Sequence, residues 1–264
     1  MAIKNVVIAL LLFFAVAGCS PDPAKEGVPT RILSLSTAAT HILFELGTPP
    51  VAIDEYGRDA AGEPAPEVIG KGSAVSLEKI AELEVDCAVV WFYQKEAAER
   101  FRNAGLRVEV VEPLRLKDHA ALIIRLGELV GEEEKARELA LNFERELAAI
   151  VPKTGATRRV YFELYSAGKA AGAASYIGDL LRAAGGESVI PASRIASAEH
   201  LAEIAPEVIF FVEGFGNAEE LAARPGLATS PAVKHNRIYP VPRRLIVEGL
   251  APLEAIGFLK EKIE

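Results

Sequence analysis

The sequence predicts an α/β protein in which two similar lobes are joined by one long α-helix. Strands alternate with helices along most of the chain, and a long charged stretch free of glycine and proline separates two such regions. One helix–strand unit also occurs twice, as "SLEKIAELEVDCAVVWF" at 76–92 and "SAEHLAEIAPEVIFFVE" at 197–213. A chance match of two such units is the alternative, but the units that flank them recur in the same order, as expected of a repeat.

The N-terminal segment precedes the fold. An apolar run, "VVIALLLFFAVA", follows Lys4 and is shorter than the roughly 20 residues of a membrane-spanning helix. It ends in "VAGC", which resembles the lipobox of bacterial lipoproteins. We predict a lipoprotein signal peptide at 1–18, lipidation at Cys19 and a Pro-rich flexible tether at 19–30. The alternative is an uncleaved anchor helix in which Cys19 is incidental.

Residues 31–131 predict an N-terminal α/β lobe. Short β-prone runs alternate with segments of helical periodicity that begin at a capping residue and end at glycine. In order, the predicted elements are the strand "ILSL", a helix capped by Thr37 and ended by Gly47, the strand "PVAIDEY", a helix capped by Ser76 and running to about Leu83, a strand over 85–91, a helix near 95–104, the strand "LRVEVVE" and a helix ended by Gly131.

A charged stretch at 132–152 predicts the interlobe helix. It begins with three acids, which suit a helix N-terminus, and has no proline before Pro152. The helix proper, 132–150, would be roughly 28 Å long. Residues 153–264 predict a C-terminal α/β lobe that repeats the first. Its elements are the strand "RRVYFELY", the helix "ASYIGDLLRAAGG", the second copy of the repeated unit, a helix near 218–223 and a strand in "AVKHNRIYPVP".

Composition and motifs argue against several classes of function. The formal charge is −8 and no Lys/Arg cluster appears, so we expect no nucleic-acid partner. The four histidines follow no metal-binding spacing, and no nucleophile elbow, P-loop or zinc-protease motif occurs, so we expect no metal site, no cofactor and no catalysis. Cys87 lies in the apolar run "CAVVWF" and is expected to be a buried thiol without a disulfide.

Aromatic and arginine side chains follow the predicted strands. Ligands of open α/β sheets bind beyond the carboxyl ends of the strands, so these residues are candidates for lining a cleft. They are Tyr56, Arg58, Trp91, Tyr93, Tyr165, Phe215, Arg243 and Arg244. Such a lining would suit a large, flat or chelate-like ligand with some acidic groups. Each residue alone could instead belong to the core or to a solvated surface.

Four segments together resemble the class III substrate-binding proteins of bacterial ABC importers, which handle vitamin B12, iron–siderophore complexes and haem. They are "RILSLSTAATHILFELG", "SLEKIAELEVD", "RAAGGESVIP" and "SAEHLAEIAPEVIFF". Each is weakly specific, but they occur in the family's order over about 31–263. The resemblance implies two Rossmann-like lobes, a rigid interlobe helix and a cleft that captures a ligand outside the cytoplasm. It also implies that Glu78 and Glu199, the acids of the family's S-x-E motif, meet arginines of a permease dimer.

Departures from the family pattern bear on the ligand. Haem-binding members often carry a tyrosine in the loop before the S-L-E helix, and Lys71 stands at that point, which disfavours haem. Trp91 matches a pocket tryptophan of B12- and hydroxamate-binding members, and Tyr56 matches a pocket tyrosine of the B12 binder. The resemblance therefore implies a lipid-anchored, monomeric importer component for a corrinoid or a ferric siderophore. A chelatase-like enzyme and an extracytoplasmic sensor are the rival readings.

Overall fold

The computed structural model describes residues 27–152 and 157–264, and it confirms an α/β fold with two lobes and a long helix between them. The predicted signal peptide, Cys19 and most of the predicted tether lie outside the described residues. Within the described ranges, no helix is both long enough and apolar enough to cross a membrane.

The strands are short, as is usual when helices separate them. They are β1 (Ile32–Ser34), β2 (Ala52–Ile53), β3 (Glu67–Val68), β4 (Gly70–Lys71), β5 (Ala74–Val75), β6 (Cys87–Trp91), β7 (Arg107–Val111), β8 (Arg158–Glu163), β9 (Lys169–Ala170), β10 (Gly186–Ser188), β11 (Arg194–Ile195), β12 (Val208–Val212) and β13 (Ile238–Val241). The α-helices are α1 (Thr37–Leu46), α2 (Leu77–Glu82), α3 (Lys95–Asn103), α4 (His119–Val130), α5 (Glu133–Ile150), α6 (Tyr176–Ala183), α7 (Ala198–Ile204), α8 (Ala218–Ala223), α9 (Pro231–Lys234) and α10 (Pro252–Ile263). Turns of 3-10 helix occupy Glu55–Ala60, Leu116–Asp118 and Arg243–Leu245.

Both lobes have the same order of central parallel strands. In the N-terminal sheet the order is β3-β2-β1-β6-β7, and every pairing is parallel. In the C-terminal sheet β8 pairs with β10 on one side and with β12 on the other, and β12 pairs with β13, again in parallel. The antiparallel strands β9 and β11 extend from the end of β8. The carboxyl ends of the central strands therefore share one edge in each lobe.

The repeated unit keeps its register of 121 residues in three dimensions. Ser76 and Ser197 each cap a helix by accepting the backbone N–H three residues later. The strands β6 and β12 begin and end at equivalent positions. Between helix and strand, Glu84 and Ala205 both have positive φ angles, of 50° and 40°. This shared left-handed turn, which is uncommon for residues other than glycine, shows that the two copies share backbone conformation as well as element order.

An acid next to this turn has the same structural role in each lobe. Asp86 accepts hydrogen bonds from the backbone N–H groups of Thr30 (2.9 Å) and Arg31 (3.1 Å). Glu207, its equivalent, accepts from the backbone N–H of Arg159 at 3.0 Å. Each carboxylate thus holds the start of the central strand of its lobe, β1 or β8.

The interlobe helix α5 belongs to a core that both lobes share. It packs against α4 and α10, and one hydrophobic cluster contains Ile123 of α4, Phe143 of α5, Phe162 of β8 and Ile256 of α10. Separate clusters cover the outer face of each sheet. The two lobes are therefore connected by buried apolar contacts as well as by the chain.

Two local predictions are wrong, and one helix was not predicted. The cap of α1 is Ser36, whose Oγ accepts from the Ala39 N–H at 3.2 Å, and Thr37 is the first helical residue. The predicted strand "PVAIDEY" is only two residues long because Asp54 caps a 3-10 turn directly after it. The C-terminal helix α10, which completes the shared core, is not in the sequence prediction at all.

Candidate functional site

A cavity of about 440 Å³ lies between the lobes, at the edge where the strands of both sheets end. The N-terminal lobe supplies Tyr56, Trp91 and Tyr93 to its walls, and the C-terminal lobe supplies Tyr165 and Arg243. These are five of the eight residues that the sequence names as candidates for lining the cleft. The volume falls within the roughly 300–1,000 Å³ typical of small-molecule sites.

Cavities of similar volume lie elsewhere on the surface. One of about 460 Å³ adjoins α2, and one of about 570 Å³ adjoins α7. The described walls of each belong to a single lobe and contain no Phe, Tyr or Trp. A third cavity, of about 400 Å³ beside α5, touches both lobes, but Phe143 is the single Phe, Tyr or Trp of its described walls. The interlobe cavity at the strand ends is the better candidate, because binding sites favour the junction of two domains and walls rich in aromatic side chains.

The aromatic wall of the N-terminal lobe begins at the end of β6. Trp91, the last residue of that strand, is only 7% exposed, and its ring lies nearly parallel to that of Tyr93 at a centroid distance of 6.3 Å. The backbone N–H of Trp91 donates to the side-chain carbonyl oxygen of Gln94 at 2.9 Å, which fixes the turn between the two residues. Tyr93 is 63% exposed, so its ring is the most accessible part of this wall.

The opposite wall contains Tyr165, just beyond the end of β8. Its ring meets Phe215 edge to face, with centroids 5.0 Å apart. Phe215 itself does not line the cavity and instead supports Tyr165 from the side. Both side chains remain nearly half exposed, which leaves an apolar surface open at the mouth of the cleft.

Two of the predicted arginines lie away from the cavity. Arg58 is exposed on the 3-10 turn that carries Tyr56, but it does not line the cleft. Arg244 forms a two-pronged ion pair with Glu254 and faces a different cavity, beside α5. Spacing along the chain predicts where these residues leave the strands but not which way their side chains turn.

Arg243 approaches aromatic rings of both lobes. Its guanidinium lies 6.0 Å from the centroid of the Tyr56 ring, within cation–π range, and it lies beside the Tyr165 hydroxyl. Burial raises the pKa of Tyr165, and Arg243 offsets part of that rise. Burial likewise raises the pKa of Tyr93. The Tyr93 and Tyr165 phenols are therefore neutral hydrogen-bonding groups at physiological pH.

A buried carboxylate stands behind the aromatic wall of the N-terminal lobe. Asp54 is 2% exposed and accepts from the N–H groups of Gly57 (3.0 Å) and Gly72 (2.9 Å). Burial raises its pKa to about 6, against the opposing effect of these hydrogen bonds. Asp54 thereby connects the turn that carries Tyr56 with the β4–β5 hairpin that leads into α2.

A second buried carboxylate, Glu163, has a similar role at the end of β8 in the C-terminal lobe. It is 2% exposed and accepts from the Tyr161 hydroxyl (2.8 Å), from the Gly168 N–H (2.9 Å) and from both terminal nitrogens of Arg224. It lies two residues before Tyr165, and Gly168 is bonded through its carbonyl to the Ala196 N–H, next to the start of α7. Each lobe therefore uses one buried acid to fix both an aromatic loop and the approach to the repeated helix.

Sequence reasoning missed several residues of the cleft, among them Glu248 and Tyr176. The Glu248 side chain reaches solvent inside the cavity, while the surrounding walls raise its pKa. The Tyr176 hydroxyl is buried, and the nearby Gly249 backbone does not reach it in hydrogen-bonding geometry. Glu248 is the acid of "RRLIVEGL", shortly after the last predicted strand, and this position was the one feature of the sequence that could have indicated it.

The repeated glutamates lie at equivalent places on the surface. Glu78 and Glu199 are both exposed in the first turns of α2 and α7. Hydrogen bonds from its own backbone N–H and from the Ser197 hydroxyl lower the pKa of Glu199, so it is ionised at neutral pH. In each lobe the segment before the repeated helix is linked to the buried acid, by the Gly72 N–H to Asp54 and, through Gly168 and Ala196, to Glu163.

Groups suited to metal coordination are not assembled in the described parts of the chain. No cluster of three or more His, Cys, Asp or Glu side chains has the geometry of a metal site there. Cys87 is buried within β6, and burial raises its pKa to about 12, so the thiol stays protonated. The Cys or His ligands that the chelatase reading requires are also missing from the described lining of the cleft.

Comparison with known proteins gives consistent matches. The profile of the family described as "Periplasmic binding protein" matches residues 32–245. The vitamin B12-binding proteins of Salmonella typhimurium and Salmonella paratyphi A are 25% and 26% identical over 174 residues. These residues cover 62% of this chain and 64% of each relative, so the chain spans about two thirds of the length of the curated relatives it matches.

Solved structures share the fold over nearly the whole chain. The periplasmic heme-binding protein BhuT, in complex with two hemes, has a TM-score of 0.77 and 22% identity, covering 90% of this chain and 98% of that one. The vitamin B12-binding protein BtuF of Vibrio cholerae has a TM-score of 0.73 and 19% identity, covering 89% and 97%. At these identities the likeness establishes a common architecture of two lobes and a long helix.

Proposed function

Because this chain belongs to the periplasmic binding protein family, we propose that it captures a metal chelate between its lobes and delivers it to an ABC importer. The family consists of binding proteins that act outside the cytoplasm, which is consistent with a protein that is not an enzyme. The observation that carries the proposal is the interlobe cavity, whose aromatic walls come from both lobes. In this proposal the chelate is cargo, and no resident cofactor is needed.

The proposed ligand is a corrinoid or a ferric siderophore. Tyr56 and Trp91, which both line the cavity, and the likeness to vitamin B12-binding proteins favour a corrinoid. Lys71 disfavours haem: its ammonium pairs with Glu55 at 3.2 Å and lies 5.5 Å from the Tyr56 ring centroid. An ammonium group held there offers no oxygen ligand to a haem iron.

Delivery would depend on the two exposed glutamates. One lobe presents Glu78 and the other presents Glu199, so a permease with two related subunits would meet one acid on each. A carboxylate in the first turn also offsets the helix dipole by about 0.3–1 kcal/mol, but that local role does not require the same placement in both lobes. At such positions charge would steer docking and orientation more than add affinity. We propose that the protein docks as a monomer.

The proposed site of anchoring is Cys19. An apolar run ending in "VAGC" precedes it, and a Pro-rich tether follows. One acyl chain gives only marginal membrane binding, so stable anchoring would use more than one. Changing Cys19 to Ala should move the protein from the membrane fraction to the soluble fraction. Unchanged fractionation of the variant would refute lipidation at this residue.

Mass spectrometry of the ligand that copurifies from the native host tests the proposed function directly. We expect a corrinoid or a ferric chelate at close to one molecule per chain, released on unfolding. Copurification of an unrelated metabolite would refute chelate capture. Chemical conversion of a bound chelate by the purified protein would instead support the chelatase reading.

A further inference from the structure

The cleft is poor in positive charge. The charged side chains that line it are two carboxylates, Asp59 and Glu248, and one guanidinium, Arg243. Arg243 already lies against Tyr56 and beside Tyr165. The single cation of the described lining is thus engaged with aromatic rings, and both carboxylates face the same space.

Two nearby cations have carboxylate partners of their own, and Arg58, which has none in the described chain, does not line the cleft. Arg244, expected from the sequence to serve the ligand, is paired with Glu254 outside the cleft. Lys71, next to the aromatic wall, is paired with Glu55 at 3.2 Å. Both of these positive charges already have a carboxylate partner before a ligand arrives.

Glu248 differs from these paired acids. In the described chain it has no ion pair and no hydrogen bond, and it lies close enough to Tyr93, Tyr165 and Tyr176 to affect all three electrostatically. Closing a ligand over this side chain would remove its water. An acid that loses water must gain a donor or a positive charge, or else the complex is penalised.

We propose that Glu248 makes the site select chelates that present hydrogen-bond donors or positive charge at their rim, and reject chelates that present carboxylates there. This inference rests on the proposed function of chelate capture. It reverses the expectation of a ligand with some acidic groups, which depended on three arginines, Arg58, Arg243 and Arg244, after the strand ends. Amide groups or an ammonium group on the ligand would pair with the Glu248 carboxylate, whereas a ligand carboxylate would be repelled by it.

Two chemically matched pairs of probes test this selection. Dicyanocobinamide carries amide side chains on the corrin ring, and dicyanocobyrinic acid carries carboxylates in their place. Ferrioxamine B carries one ammonium group, and its N-acetyl derivative carries none. Isothermal titration calorimetry at pH 7 would measure each affinity for the wild type and for Glu248→Gln. Glu144→Gln, an exposed acid of α5 outside the cleft, is the matched control.

The wild type should bind the amide or ammonium member of at least one pair about tenfold or more tightly than its counterpart. Glu248→Gln should shrink that ratio severalfold, and Glu144→Gln should leave it unchanged. Equal affinity within every pair that binds, or an unchanged ratio in Glu248→Gln, would overturn the inference and leave chelate capture standing. Failure of all four probes to bind would overturn the proposed chelate function, and this inference with it.

Discussion

Replacing Arg224 with leucine should destabilise the C-terminal lobe, because it leaves a charged carboxylate buried without its cation. Glu163 is 2% exposed, and Arg224 supplies two of its four described hydrogen bonds. The Tyr161 hydroxyl and the Gly168 N–H would remain as donors. The pair is a buried ion pair, in which removal of one partner costs far more than the pair itself contributes.

The structure sets the expected size of the effect. Loss of one partner of a buried pair costs about 3–5 kcal/mol. The lower end applies here, because the Arg224 side chain is 21% exposed and Glu163 keeps two donors. A loss of about 3 kcal/mol in the free energy of unfolding would lower Tm by roughly 6–12 °C for a chain of this size. Adding Glu163→Gln should recover part of the loss, since a neutral amide tolerates burial better than a lone carboxylate.

Urea and thermal unfolding followed by circular dichroism would measure the effect. Arg244→Leu is the control, because the ion pair of Arg244 with Glu254 has both side chains more than half exposed and should contribute about 1 kcal/mol or less. A change of less than about 0.5 kcal/mol in Arg224→Leu would refute the reasoning. So would a double variant less stable than Arg224→Leu alone.

Three further predictions concern the cleft, the docking surface and pH. Trp91→Ala should weaken chelate binding by about 1–3 kcal/mol, measured by calorimetry. Unchanged affinity would mean that the Trp91 ring packs in the core without contacting the ligand. The double variant Glu78→Ala with Glu199→Ala should bind chelate normally but lose uptake, and each single variant should reduce uptake less. Normal uptake by the double variant would show that the two acids only stabilise their helices. Burial lowers the pKa of His119 to about 4, so the unfolded state takes up a proton first and stability falls as pH drops from about 6.5 to 4. His119→Phe should reduce that loss of stability by up to about 3 kcal/mol, measured by urea unfolding at several pH values. The control His235→Gln, at an exposed position, should lose stability with falling pH as the wild type does. The same behaviour in His119→Phe would contradict titration of the His119 ring.

The order of elements and the internal repeat could be predicted from the sequence because they depend on local patterns. Ser76 and Ser197 cap helices through groups three residues away, and Gly47 and Gly131 end helices in the left-handed conformation that glycine adopts most readily. The apolar run of β6 is long enough to be recognised as a buried strand. Five of the eight candidate side chains after strand ends also reach the cleft, since parallel strands bring their carboxyl ends to one edge.

Only the tertiary structure decides which charges face the ligand. Arg244 pairs with Glu254, ten residues further along the chain, and Glu163 pairs with Arg224, sixty-one residues away. Glu248 has no partner in the described chain. These outcomes depend on side-chain direction and on the approach of segments distant in sequence, for which local periodicity carries no signal. The sequence by itself determines an α/β protein of two lobes with an aromatic cleft. The fold decides that the cleft contains an unpaired acid, Glu248, and only one of the candidate arginines, Arg243, because ion pairing depends on distance in space and not on spacing along the chain.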